Sequence, residues 1–361
     1  MITAEKTLYA AIPLDAGQVQ GWKEIPIREA DHPDPLLPLG LLSQEAAILT
    51  TSSVYFGEHN NSPYAEDNKL EGSLLTLFAR QSVIRRLLAA ERLLPAGYHL
   101  LLFDAYRPYE VQKSLHDFYK QKLKEKHPHL DSEVLASTAQ NYVSVPSVDP
   151  TRPSPHSTGG AVDLAIVKLD EAHIEELHSI RSRLIGNTLE HTKRTGMAMQ
   201  LSVLMSRHAK MLDFGTAFDH GGEKSALAYY ESKIAAGDAL TDSEWQACNN
   251  RRLLYAVMTQ AGFQPYFAEW WHFNAPESQM GAATAGYDCA TLGAAELSKS
   301  NRAHENERLK IRQEVLRLHK AEARAVQPTG LQAEILAAMH RLGDPRNGGD
   351  WPIEIIAPPE E

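Results

Sequence analysis

The stretch Ala161-Val162-Asp163-Leu164-Ala165-Ile166-Val167 limits what this chain can fold into more than any other segment. A short apolar run rich in β-branched residues reads as a strand. Period two puts Val162, Leu164 and Ile166 on one face and Ala161, Asp163 and Ala165 on the other. A carboxylate between two alanines suits a cleft floor, because its small neighbours leave room above the sheet. The strand is fed by a loop over residues 142–160, rich in Pro, Ser and Thr and ending in Gly159-Gly160. A second buried strand, His99-Leu100-Leu101-Leu102-Phe103, follows the Pro95-Ala96-Gly97 stop and delivers Asp104-Ala105-Tyr106-Arg107-Pro108 at its end. A third strand-like run covers residues 263–273.

Helices are expected around these strands. Residues 73–94 keep Val83, Leu87 and Leu94 on one face, and residues 109–124 turn Val111, Leu115 and Phe118 inward. Residues 169–210 read as a helical, mixed-charge segment. Thr241-Asp242-Ser243-Glu244 matches a capping box and opens a helix that Gly262 stops. Residues 276–300 are small and polar. A charged helix follows over residues 301–325, with seven basic and four acidic side chains. Leu331, Ile335, Met339 and Leu342 then make an apolar stripe. The expected organisation is an N-terminal arm (1–45), a catalytic domain (46–275) with a helical insertion (169–210), and a linker with a helical C-terminal extension (276–361).

With 36 basic and 46 acidic residues, the net charge is −10, which argues against a nucleic-acid surface. No run of about 18 apolar residues exists to span a bilayer. The two cysteines, Cys248 and Cys289, form no C-x-x-C pair and read as free thiols of a reducing compartment. The first residues lack a signal-peptide core, so a cytoplasmic location is expected.

Two segments carry candidate metal chemistry. His156 lies seven residues before Asp163, with two glycines between them that let the loop fold back. Glu269-Trp270-Trp271-His272 offers a second imidazole and an acid. Two imidazoles and one carboxylate with an open fourth position make a catalytic zinc set; the same donors also make a non-haem iron triad. Taken singly, His156 also reads as a loop histidine and Asp163 as a capping residue. Glu269 favours a hydrolase, since a zinc hydrolase needs a base beside the metal. On an ideal strand positions 269 and 272 face oppositely, so the chain must bend there. Trp270 and Trp271 would then wall the cleft, or else pack in the core. Arg107 could stabilise an oxyanion or pair with Asp104.

Taken together and in this order, D-A-Y-R-P, S-x-H-x-x-G-x-A-x-D and E-W-W-H resemble the D-alanyl-D-alanine dipeptidases, zinc peptidases of the vancomycin-resistance type. Tyr64-Ala65-Glu66-Asp67-Asn68, Gly215-Thr216-Ala217-Phe218-Asp219 and Asn250-Arg251-Arg252-Leu253-Leu254 extend the likeness. The resemblance implies an α+β fold with a central, mainly antiparallel sheet flanked by helices, as in the zinc D,D-peptidases and a hedgehog signalling domain. It implies one zinc ion per subunit on His156, Asp163 and His272. Glu269 would be the general base and Arg107 the transition-state stabiliser. Tyr64 and Asp219 would hold the substrate's ammonium, and Ser154 would meet its carboxylate. The expected partner is a small dipeptide, with no nucleic acid and no membrane, and with self-association through the insertion or the C-terminal helices. The chain departs from the family in that insertion, read as a lid or a dimer contact over the cleft, and in its long continuation beyond His272. The rival readings are a D,D-carboxypeptidase or endopeptidase acting on peptidoglycan peptides, a non-haem iron oxygenase, and a non-catalytic zinc-binding module.

Overall fold

The computed structural model describes residues 8–14, 21–41, 43–57, 64, 70–139, 143–185 and 191–322. Its strands are β1 (Leu36–Pro38), β2 (Thr50–Thr51), β3 (Phe78–Arg80), β4 (Tyr98–Asp104), β5 (Ala161–Leu169), β6 (Ala209–Met211), β7 (Gln264–Pro265) and β8 (His272–Asn274). Its helices are α1 (Gln81–Leu93), α2 (Tyr109–Lys126), α3 (Ser132–Ala139), α4 (Ile174–Ile185), α5 (His191–His208), α6 (Tyr229–Ala235), α7 (Asp242–Gln260), α8 (Gln279–Ala285) and α9 (Lys299–Glu322).

The central sheet runs β2-β4-β5-β8-β7, and β5 is its axis. One edge of β5 pairs with β4. The other is shared, β8 taking Ala161 to Asp163 and β6 taking Val167 to Leu169. All these pairs are antiparallel, but β2 joins β4 in parallel, so the sheet is mixed rather than antiparallel throughout. A parallel neighbour needs a crossover, and α1 lies within that connection. Every residue of β5 except Lys168 is buried, so the alternation read from the sequence does not separate core from solvent here. Helices and loops cover both faces, as for a central strand of a layered fold. Val162, Leu164 and Ile166 of one face and Ala165 of the other belong to the same apolar core, and Ala161 is buried too.

Three sequence expectations shift. The helix expected over residues 73–94 begins only at Gln81, because Phe78–Arg80 pairs with β1 instead. That partner lies about forty residues away, beyond the reach of a local pattern. The run over residues 263–273 is not one strand: β7 and β8 pair antiparallel across the turn between them. The described part of the insertion does not cover the cleft as a lid would. Leu177, Ile180, Leu184, Met199 and Met205 of α4 and α5 are buried in the main core, and no described residue of the insertion lines the cleft. The insertion leaves from the Leu169 end of β5, about 20 Å of strand beyond Asp163. Arg181 anchors it there by bonding to buried Glu91 at 2.5 Å.

The capping box forms as read: Glu244 N–H donates to Thr241 Oγ1 (3.3 Å) and Thr241 N–H to Glu244 Oε2 (2.9 Å), an arrangement worth about 1 kcal/mol. Residues 276–292 pack inward through buried Ser278, Gln279, Ala282, Ala290 and Leu292. Helix α9 docks by Glu305, which accepts from Leu75 N–H (2.7 Å) and Thr76 N–H (2.9 Å). Both cysteines are free. Among the described residues no helix is long and apolar enough to cross a membrane. The stripe expected at residues 331–342, and Ala65, Glu66, Asp67 and Asn68, lie outside the described residues.

Candidate metal centre and substrate cleft

Sheet register brings the first two acceptors together. Asp163 of β5 sits directly opposite His272 of β8. His156 arrives from a 3-10 turn, His156 to Thr158, closed by Gly159 at φ +70°. Glycine is needed there twice over: the backbone is left-handed, and a Cβ would meet Leu36 Cδ2 at 2.4 Å. Arg80 clamps the same turn, its Nε donating to Thr158 O (2.7 Å) and its backbone N–H to Gly159 O (3.1 Å). The turn is also stitched to the end of β4, where Arg107 N–H donates to His156 O (3.1 Å).

Three donor atoms converge. His156 Nε2 lies 3.2 Å from His272 Nδ1 and 3.3 Å from Asp163 Oδ2. Asp163 Oδ1 lies 3.0 Å from His272 Nδ1. Ligand atoms of all three side chains fall within 4.8 Å of one another, and all three residues are buried. The outer ring nitrogens are engaged. His156 Nδ1 donates to the Ala105 carbonyl (2.8 Å), and His272 Nε2 donates to Asn274 Oδ1 (3.2 Å). An oxygen of either kind only accepts, so in the neutral imidazoles, the form that binds a metal, both protons sit outward and both inward nitrogens present lone pairs. Asp163 Oδ1 is buried without a hydrogen bond of good geometry. Two lone pairs and an unsatisfied carboxylate oxygen aimed at one point fit a divalent cation of zinc type. Burial works against the Asp163 charge, but His156 and His272 outweigh it and hold the carboxyl well below the usual range. Burial likewise opposes the His272 charge, and Asp163 and then Glu269 outweigh it and raise this imidazole.

The bend that Glu269 requires is a turn. Glu269 N–H donates to Tyr266 O (3.1 Å) and Tyr266 N–H to His272 O (3.0 Å). Glu269 Oε2 then stands 3.8 Å from His272 Nδ1. Its side chain is 32% exposed and lines the cleft. Burial pushes its carboxyl up to about 7; Asp163 and Asp219 add to this, while His272 and Arg107 oppose it. The two tryptophans divide. Trp271 lines the cleft, whereas Trp270 stacks on Phe214 in the core (4.2 Å, 3°) and donates to Thr216 Oγ1 (2.8 Å).

Of the two readings of Arg107, the pairing with Asp104 is present in the fold. Its Nε donates to Asp104 Oδ2 (2.8 Å), Nη1 to Gln112 Oε1 (2.8 Å) and Nη2 to Tyr55 OH (3.2 Å). Nη2 also stands 3.6 Å from Asp163 Oδ2, so the guanidinium is pinned at the edge of the metal centre. Burial opposes its charge, and Tyr55, Asp104 and Asp163 more than restore it.

Ser154 and Asp219 line the cleft, about 240 Å³ in volume. Tyr64 does not border it directly, but its hydroxyl reaches Asp219 Oδ2 at 3.5 Å from behind. Asp219 takes φ +62°, the only non-glycine among the described residues with positive φ. Such a conformation persists where its surroundings over-determine it. Buried Arg251 does this, bonding Phe214 O (2.8 Å), Lys224 O (2.9 Å) and Ala226 O (2.6 Å) at both ends of the loop. Burial pushes the Asp219 carboxyl up to about 7, aided by Asp163 and Asp104 and opposed by Arg107. Ionisation of this group therefore costs folding energy, over a range from its ordinary value of 3.8 up to about 7. In the metal-free protein, Asp219→Asn should raise the melting temperature by several degrees at pH 8 and by less at pH 5. An equal shift at both pH values would contradict this account.

Sequence reasoning missed three partners of the centre. Asn274 was findable, since it lies two residues after His272 and so shares its face of the strand. Tyr55 and Gln112 carried no local signal. Asp104 was read only as an ion-pair partner of Arg107, yet Oδ2 also lies 3.2 Å from His156 Nδ1.

The sequence model of the Peptidase M15 family, described as D-ala-D-ala dipeptidase, matches residues 44–179 and 178–289. A D-alanyl-D-alanine dipeptidase of Synechocystis sp. (strain ATCC 27184 / PCC 6803 / Kazusa) is 25% identical over 206 residues, 54% of this chain and 68% of that protein. One of Escherichia coli (strain K12) is 28% identical over 183 residues, 51% of this chain and 58% of its own length. One of Enterococcus faecium is 26% identical over 182 residues, 49% of this chain and 62% of its own length. The match thus spans less than two thirds of the last two proteins.

Proposed function

The chain belongs to the Peptidase M15 family, and from that premise we propose that it is a zinc-dependent dipeptidase hydrolysing D-alanyl-D-alanine or a closely related dipeptide. The observation that carries the reading is the Glu269 carboxylate beside the three converging donor atoms. A metal-binding module has no use for a base there, and an oxygenase has none either.

His156, Asp163 and His272 would hold the zinc. When bound, zinc supplies a Lewis acid and makes water a nucleophile near neutral pH. Glu269 takes a proton from the attacking water at Oε2 and returns it to the leaving amine. A carboxyl near 7 suits both halves of that exchange, because it gives and takes a proton with little cost at neutral pH. Arg107, already desolvated and fixed by three partners, meets the negative charge that develops on the carbonyl oxygen. Trp271 keeps bulk water from the reacting bond.

Two features favour a dipeptide over a longer chain. The cleft, about 240 Å³, is smaller than the roughly 300–1,000 Å³ of pockets for drug-sized ligands. Asp219 sets a carboxylate in its wall, with Tyr64 behind, where a free ammonium would relieve the cost of ionising it. A D,D-carboxypeptidase must leave that end open. The test is a panel of dipeptides varying chirality at both positions, with and without chelator, together with the N-acetylated dipeptide. Acetylation should lower kcat/KM at least about a hundredfold, since it leaves a buried carboxylate without its cation. An unchanged rate would reject the ammonium pocket, and activity resistant to chelator would reject the metal.

A further inference from the structure

The cleft has a wall that the family match does not cover. Trp22 and Lys23, upstream of residue 44 where that match begins, line it beside Ser154 and Met280. This part of the N-terminal arm is held in place at three points. Arg28 N–H donates to Ala290 O (2.9 Å) and Ala290 N–H to Pro26 O (2.9 Å). Buried Gln279 donates through Nε2 to Ile25 O (2.7 Å) and Thr151 O (2.8 Å), and more distantly to Lys23 O (3.5 Å). Glu24 pairs with Arg152 through both carboxylate oxygens (2.8 and 2.9 Å). One amide thus joins the backbone of Lys23 to that of Thr151, three residues before Ser154, and fixes the arm to the loop that carries Ser154.

The charges of the cleft show what this wall adds. Asp163, Asp219 and Glu269 line it, against Arg107 and Lys23 as fixed cations. Arg107 is committed to Asp104, Gln112 and Tyr55. Lys23 is exposed, lies with its ammonium 5.3 Å from the Trp22 ring centroid, and makes no ion pair among the described residues. A free dipeptide is a zwitterion. Its ammonium has acidic hosts in this cleft, but its carboxylate finds, among the described residues, three like charges and a single uncommitted cation.

We propose that Lys23 is a specificity-determining residue whose ammonium pairs with the free C-terminal carboxylate of the dipeptide, so that the N-terminal arm completes the substrate site. The inference rests on the dipeptide reading above. An ammonium on a flexible stem acts as a point charge, and at a solvent-exposed position its effect is modest, on the order of tenfold in affinity.

The experiment uses the full chain, zinc-loaded and carrying Glu269→Gln to prevent turnover, titrated calorimetrically with D-alanyl-D-alanine and with its C-terminal amide. Adding Lys23→Met should lower the preference for acid over amide about tenfold, and Lys23→Arg should restore most of it. A preference unchanged within twofold would overturn the proposal. So would an equal loss for acid and amide, which marks a merely structural role for the arm. If the enzyme with Glu269 intact hydrolyses the dipeptide while the preference ignores Lys23, only this inference fails. If the preference follows Lys23 but no dipeptide is hydrolysed, the dipeptidase reading fails and the carboxylate site stands. If neither ligand binds, both fall.

Discussion

Glu269→Gln should lower kcat for the dipeptide by about a thousandfold, with fold and metal content unchanged. General acid–base groups contribute on the order of 10²–10⁴ to rate. Glu269 holds the larger share of that range because it serves two proton transfers, one from water and one to the amine. Glutamine keeps the size and the polar contact but has no proton to take or give at neutral pH. The variant should fold, since Glu269 makes no hydrogen bond through its carboxylate that the core depends on, only the 3.8 Å approach to His272. The check is D-alanine release under saturating substrate, with zinc content measured on the same sample. Activity within tenfold of the parent would remove Glu269 from the chemistry and reopen the reading of the cleft as a binding site.

His272→Ala has the second large effect, and it acts through the metal. The substitution deletes one of three donors. Losing even an outer-shell partner typically costs 10–100-fold in metal affinity, so losing a ligand should cost at least about a hundredfold, with activity lost accordingly. The metal-free protein should also suffer. Asp163 ionises in the unfolded chain above about 4, and histidine is protonated there below about 6.5. The Asp163 carboxyl is lowered and the His272 imidazole raised in the fold. The carboxylate's contribution is present above its unfolded value and lost as pH falls through the lower folded one. The imidazole's is present below its unfolded value and lost as pH rises through the higher folded one. The two overlap between about pH 4 and 6.5. Melting of the chelated protein should therefore show the largest destabilisation by His272→Ala near pH 5.5, shrinking as the solution becomes more basic. Unaltered zinc binding would end the assignment of His272 as a ligand.

The legibility of this protein differs from segment to segment. The strand that became β5, the strand that became β4, the capped helix α7 and the loop–strand junction around His156 are all written locally, in apolar runs, caps and glycines. The candidate donor residues were legible for the same reason, since metal sites draw on a small set of side-chain types. What the local pattern misread had non-local causes. Phe78–Arg80 left the expected helix because Leu36–Pro38 offered it a ladder. The run at 263–273 folded into a hairpin because β8 pairs with both β7 and β5. The insertion looked like a cover for the site because it follows Asp163 closely in sequence, but it follows the strand's other end in space.

The amino-acid order alone determined which groups are available for the chemistry proposed, His156, Asp163, Glu269, His272 and Arg107, and roughly which strand or loop bears each. Tertiary structure decided their meeting: the pairing of Asp163 with His272 across two strands, the turn that swings Glu269 back toward the imidazole, the clamp of Tyr55 and Gln112 on Arg107, and the arrival of Lys23 from an arm far upstream. Side-chain identity and short-range periodicity are properties of neighbouring residues. Register between strands and the docking of a distant arm depend on contacts that close long loops, and no window along the chain contains both partners.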